Sequence, residues 1–240
     1  MMKKFFVLLP IVLSALSQHA NAAGDIPAFS HMQAGAPVTG WTVLKPAPKA
    51  PDTVYTLVTE DGRTVLKADA DHSMSGLVYA TRVDLAKTPL LRWRWKITDP
   101  VAAGDMTKKS GDDYAARIYV MFDYPREKLS FATRTTLKLG EAIYGQKIPT
   151  AALNYVWDNR QPIGTIQPNT YTDRAQMVVV ESGSSKAGQW VTETRDLAAD
   201  FKAAFGEDAP AVVAVALATD TDNTGSHVVS WFGDVQFLGR

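Results

Sequence analysis

From Leu90 to Thr98 apolar and polar residues alternate, with Leu91, Trp93, Trp95 and Ile97 on one side and Arg92, Arg94 and Lys96 on the other. Successive side chains of an extended chain point to opposite faces, so this run predicts a half-buried β-strand with a core face and a basic face. Tyr114 to Asp123 repeats the pattern, setting Ile118, Val120 and Phe122 against Arg117, Tyr119 and Met121, and predicts a central strand. Thr53 to Glu60 and Arg63 to Ala68 are β-prone runs joined by Asp61-Gly62. That dipeptide accepts the paired positive φ angles of a type I′ turn, which predicts a hairpin. Further strands are expected over Gly76 to Asp84, Leu153 to Trp157, Ala175 to Glu181, Trp190 to Arg195, Ala211 to Thr219 and Val228 to Leu238.

Two segments depart from this alternation. Between Pro125 and Pro149, Leu129, Ala132, Thr136, Leu139 and Ile143 recur at helical spacing, which predicts a long helix. A shorter helix is expected after Asp196, which can accept from the free amides of the first turn, with Leu197, Phe201 and Phe205 on the buried face and Gly206 as the left-handed exit. Many short strands, two helical inserts and no βαβ alternation predict an all-β fold, an antiparallel β-sandwich of jelly-roll type. A mixed α+β domain is the alternative. The sandwich is expected to occupy 52–240 as one domain, behind a lead-in over 23–51 that carries a short strand at Trp41 to Leu44 and is expected to be poorly ordered at its start.

Residues 1–22 have the organisation of a signal peptide: a basic start, an apolar stretch from Phe5 to Leu16, and small residues at Ala20 and Ala22. Cleavage after Ala22 and a periplasmic or secreted location are expected. The apolar stretch is short for a membrane span of about 20 residues, and no later one is long and uncharged enough, so no transmembrane segment is expected after cleavage.

Charge and composition then narrow the chemistry. Lys plus Arg and Asp plus Glu both number 25, which leaves no basic excess for a phosphate backbone and argues against nucleic acid as a partner. The absence of cysteine removes disulfides, thiolate nucleophiles and iron–sulfur clusters. No phosphate loop, nucleophile elbow, His-Glu-x-x-His or dinucleotide-binding turn is present. His31, His72 and His227 lie in separate segments, an arrangement that gives little support to a histidine metal site.

Three polar constellations remain. The loop Asp220-Thr221-Asp222-Asn223-Thr224-Gly225 clusters oxygens as the opening of a calcium loop does, so Asp220, Asp222 and Asn223 are metal candidates and calcium the cofactor candidate. Trp231 stands where an EF-hand needs its bidentate Glu, and the flanks are strands, so an EF-hand is excluded; a polar turn is the competing reading. Asp112, Asp113, Asp158 and Glu193 are candidate acids and bases for glycosidic chemistry. Arg92, Arg94, Arg117 and Arg195 would equally turn them into structural ion pairs of low pKa. The third constellation is aromatic: Trp93, Trp95, Trp157, Trp190 and Trp231 fall in strands, and Tyr119 shares the Arg117 face. Polar groups beside aromatic rings suit a polyol or carbohydrate, which marks Arg94, Arg117, Tyr119, Asp158, Asn159 and Arg160 as ligand-binding candidates.

The segments Leu91 to Lys96, Gly111 to Arg117, Tyr155 to Arg160 and Asp220 to Gly225 together resemble the bacterial family catalogued as domain of unknown function 3047, a resemblance that brings no assigned activity or catalytic residue. Trp231 to Val235 also looks like the closing strand of galactose-binding-like sandwiches, an analogy of fold. The leading expectation is an exported module binding a carbohydrate or cell-envelope glycan on one sheet face that carries Arg94, Arg117, Tyr119 and Asp158. The rivals are a glycoside hydrolase or polysaccharide lyase using paired carboxylates, and a structural envelope protein whose insert from Glu127 to Tyr144 docks a partner.

Overall fold

A computed structural model describes residues 25–47, 49–131, 133–135, 138 and 150–240. The segment expected to be a signal peptide and most of the long helical candidate, including Ala132, Thr136, Leu139 and Ile143, lie outside the described residues. So does much of the insert proposed to dock a partner. Within that stretch Arg126–Lys128 forms a 3-10 turn, and Leu129 is buried.

Among the described residues thirteen strands build two packed sheets. They are β1 (Thr42–Leu44), β2 (Val54–Glu60), β3 (Arg63–Asp71), β4 (Met74–Val83), β5 (Leu90–Ile97), β6 (Tyr114–Phe122), β7 (Ala151–Asp158), β8 (Ile166–Asn169), β9 (Thr172–Ser182), β10 (Val191–Asp196), β11 (Val212–Asp220), β12 (His227–Phe232) and β13 (Gln236–Leu238). The larger sheet runs β1-β4-β11-β6-β7-β9-β8, and the smaller runs β10-β5-β12-β3-β2 with β13 added to β5. The fold is the two-layered β-sandwich of jelly-roll type expected from the alternation. All pairings are antiparallel except that of β7 with β9, two strands joined through β8, which the sequence pattern does not announce.

The alternating runs explain the core. Leu91, Trp93, Trp95 and Ile97 point inward from β5 and are fully buried. The rings of Trp93 and Tyr155 stand 5.3 Å apart and those of Trp95 and Trp157 5.9 Å apart, locking one sheet to the other. Such pairs add about 0.5–1.5 kcal/mol each beyond the area they bury. The β2–β3 hairpin turns through Asp61 and Gly62, at φ 50° and 74°, as a type I′ turn requires. The α-helix α1 (Leu197–Phe205) is capped by Asp196, which accepts from the Ala198 and Ala199 amides, and it exits through left-handed Gly206. Its Phe201 ring packs 4.7 Å from Phe122 and closes one end of the core.

Two expectations need correction. The described part of the lead-in is packed: Phe29 is buried, stacks on Trp41 at 5.4 Å, and Ser30 donates to Asp234 at 2.6 Å. The run Val228 to Leu238 is two strands, because the chain leaves the sheet at Gly233 and rejoins β5 as β13.

Candidate functional site

Three of the polar segments meet at one end of the larger sheet. β6 lies between β11 and β7, so the start of β6, the end of β7 and the exit of β11 are neighbours, and the turn after Asp220 folds over them. Inward-pointing Ile118, Val120 and Phe122 force Arg117 and Tyr119 to the outer face, where the register sets Tyr119 beside Asn154 and Arg117 beside Ala218.

Arg117 is 2% exposed although it carries a permanent charge. Its guanidinium forms an ion pair with fully buried Asp220 and a longer one, 3.5 Å, with Asp112. Asn169 donates to both Asp112 oxygens at 3.2 and 3.3 Å. Asp113 accepts from the Asn223 amide at 3.2 Å, the Asn223 side chain at 3.1 Å and the Thr224 amide at 2.6 Å, which pins the turn to the start of β6. Arg117 is the cation that pairs with these acids among the described residues, and burial together with the Asp113 charge holds the half-buried Asp222 carboxyl above the usual range.

Asp113 joins the expected metal residues here. Asp113, Asp220 and Asp222 each offer a carboxylate oxygen, and these atoms lie within 4.8 Å of one another. This buried acidic triad has the hard-oxygen chemistry to hold a metal ion. Asn223, the third expected metal residue, lies beside them: its Nδ2 donates to Asp113 and Asp222, and its Oδ1 accepts from the Tyr171 hydroxyl at 3.3 Å.

Beside the acids stand polar atoms without partners. Tyr114 Oη, Arg117 Nε and Asn154 Oδ1 are buried and make no hydrogen bond, on the outer face where the Arg117 guanidinium packs 5.1 Å from the Tyr114 ring and 5.5 Å from the Tyr119 ring. Burial, and then the Asp112 charge, push the Tyr114 phenol well up, so it remains a neutral O–H. Tyr119 and Tyr171 are half-buried at the margin, and the Tyr171 phenol is pushed up to about 12 by burial and by Asp112. Asn154, Asn169 and Tyr171 are site residues that sequence reasoning missed; the available signal was Asn154, a polar residue inside the apolar run of β7.

The other expected ligand groups are engaged elsewhere. Asp158 accepts from the Arg160 and Gln161 amides, both at 2.7 Å, and so closes its own turn. Asn159 and Arg160 reach the Gly104 carbonyl at 3.0 and 2.8 Å and latch the neighbouring loop.

Arg94 and Glu193 do not share this face. They lie on β5 and β10 of the smaller sheet, while Arg117, Tyr119 and Asp158 lie on the larger, so the single wall expected from alternation is split between two layers. Alternation assigns a side chain to the inside or the outside of its own sheet and is silent about which sheet a strand joins. Arg195 does not neutralise Glu193; it forms a bidentate pair with Asp200 at 2.6 and 2.8 Å. Burial, then the nearby Glu181 charge, raise Glu193 to about 7, the reverse of the low pKa expected of an ion pair. A cleft of about 630 Å³, lined by residues such as Ile26, His31 and Phe237, contains none of these candidates.

Comparison with solved structures finds similar chains at low sequence identity. The family 30 carbohydrate-binding module of the cellulosomal cellulase Cel9D-Cel44B of Clostridium thermocellum is similar at 13% identity and TM-score 0.35, covering 90% of this chain and 95% of that one. Trichoderma harzianum endoglucanase 3 from family GH12 is similar at 10% identity and TM-score 0.42, covering 92% and 100%. The Emp47p carbohydrate recognition domain is similar at 14% identity and TM-score 0.41, covering 89% and 93%. No curated protein matches the sequence. The segments that converge on Arg117 all fall inside residues 39–236, which match the model of the family described as "Protein of unknown function (DUF3047)", and the chain belongs to that family.

Proposed function

We propose that the protein is an exported, non-catalytic glycan-binding module whose ligand hydroxyls meet the outer face of β6 and β7. The observation that carries this reading is the set of buried, unpartnered atoms Tyr114 Oη, Arg117 Nε and Asn154 Oδ1. Buried polar groups are almost always hydrogen-bonded, so three such groups gathered on one outer face offer hydrogen bonds that the protein itself leaves unmade. The set combines a donor, an acceptor and a hydroxyl that serves as either, which is what a sugar hydroxyl requires. The tyrosine rings around Arg117 add the apolar surface that a sugar ring covers. Asp112, Asp113 and Asp220 surround the lone guanidinium and disfavour an anionic ligand. Catalysis is the weaker reading, because Asp112, Asp113 and Asp158 are each held by two or three protein donors.

Calorimetry against neutral oligosaccharides tests the assignment. Asn154→Ala and Tyr114→Phe are expected to weaken binding at least tenfold, and Tyr114→Phe removes an unpaired hydroxyl, so it should leave stability unchanged or improved. Full affinity in both variants, or no binding of any neutral glycan, would overturn it. The oxygen geometry of Asp113, Asp220 and Asp222 favours one addition, a structural calcium that balances the excess acid beneath the turn.

A further inference from the structure

The outer face of the smaller sheet carries a second arrangement, of opposite electrostatic character. Lys96 on β5 pairs in register with Trp231 on β12, and Trp231 pairs with Lys67 on β3. On the other side of β5, Trp190 directly precedes Val191, which pairs with Trp95, so its ring stands beside Lys96. The result is a row running Trp190, Lys96, Trp231, Lys67 across four adjacent strands, about 14 Å long at the usual strand spacing of about 4.8 Å.

The cations are laid against the rings. The Arg94 guanidinium lies 4.3 Å from the Trp190 ring centroid, and the Lys96 ammonium 4.4 Å from that of Trp231. Gly233 makes the Arg94 placement possible: a Cβ there would stand 2.5 Å from Arg94 Cγ and 2.6 Å from its Nε. The acids of this face are already occupied. Glu60 pairs with Lys96, Asp69 with Lys67 and His227, and Asp61 accepts from the Trp190 indole at 3.1 Å. Among the described residues, Arg94 has no carboxylate partner, and neither does exposed Arg92. Two uncompensated guanidiniums, Arg94 against the Trp190 ring and Arg92 two residues along β5, therefore share one sheet face with half-buried indole rings.

The geometry points to a second binding surface here, for an acidic polysaccharide whose carboxylates meet Arg92 and Arg94 while its sugar rings lie against Trp190 and Trp231. A guanidinium presents paired N–H donors that match a carboxylate, and an aromatic ring alongside it supplies apolar contact that a purely ionic patch lacks. The absence of a net basic charge over the chain favours this short, local match over a nucleic acid.

The probe is polygalacturonate, with its methyl ester as the uncharged counterpart, in affinity electrophoresis of the cleaved, full-length mature protein. The acid form is expected to retard the protein, with added salt and methyl esterification each weakening the effect at least fivefold. Arg94→Ala should abolish retardation, Arg94→Gln should reduce it while keeping a planar group over Trp190, and Trp231→Ala should weaken it at least fivefold. Asn154→Ala should leave it unchanged, so failure on this face is distinguishable from failure of the neutral-sugar site. Equal retardation by the ester, no retardation by either polymer, wild-type behaviour of Arg94→Ala, or binding to anionic phospholipid vesicles in place of the polymer would each overturn the proposal.

Discussion

Arg117 and Asp220, 103 positions apart in the chain, meet as a buried ion pair between β6 and β11. Desolvating two charges is costly, and removing one partner leaves the other stranded. Asp220→Ala is therefore expected to cost about 3–5 kcal/mol in urea unfolding at neutral pH. Asp112→Ala, which loses the 3.5 Å contact and an asparagine donor, should cost less. Equal losses would mean that Arg117 is balanced by both acids alike.

Glu193 predicts a pH dependence. Its carboxyl rises from 4.5 to about 7 in the folded protein, through burial and then the Glu181 charge. Between those values the native state binds more protons than the unfolded chain, so its contribution to stability declines as pH rises across that window. Glu193→Gln should flatten this part of a melting-temperature profile and be the more stable protein at pH 8. A profile identical to wild type would show that this carboxyl does not couple to folding.

Gly233→Ala tests the packing of the basic face. The added methyl would meet Arg94 and displace its guanidinium from Trp190, at an overpacking cost of about 1–3 kcal/mol. Tryptophan fluorescence should change while the far-ultraviolet dichroism stays the same. Unaltered fluorescence would mean that the arginine yields without leaving the ring.

Calcium gives a direct thermal readout. A site that binds only the native state stabilises it by about 2.7 kcal/mol at a hundredfold excess over Kd. Millimolar calcium should therefore raise Tm, a chelator should reverse the rise, and Asp222→Asn should abolish it. The same Tm with calcium and with chelator would remove the ion from the proposal.

What could be read from the sequence depended on how local each cause was. Asp61-Gly62, the Asp196 cap and the Gly206 exit act within a few residues, and each takes the conformation its chemistry dictates. The inward set on β5 and the outward set on β6 follow from alternation alone. Sheet membership does not: Arg94 and Arg117 sit on equivalent-looking strands yet face away from opposite layers. Asn169 and Tyr171 reach the site because β8 turns back onto β9 beside β7, and β8 has only four residues and includes Pro168, leaving little pattern to detect.

The last two long strands are inserted between earlier ones: β11 separates β4 from β6, and β12 separates β5 from β3. Without residues 212–232, both layers have a vacant slot lined by unsatisfied amides and carbonyls, and neither half of the core can close. The sandwich therefore closes only when β11 and β12 are in place, and its central pairings join segments far apart in the chain, the topology of a slowly folding β protein.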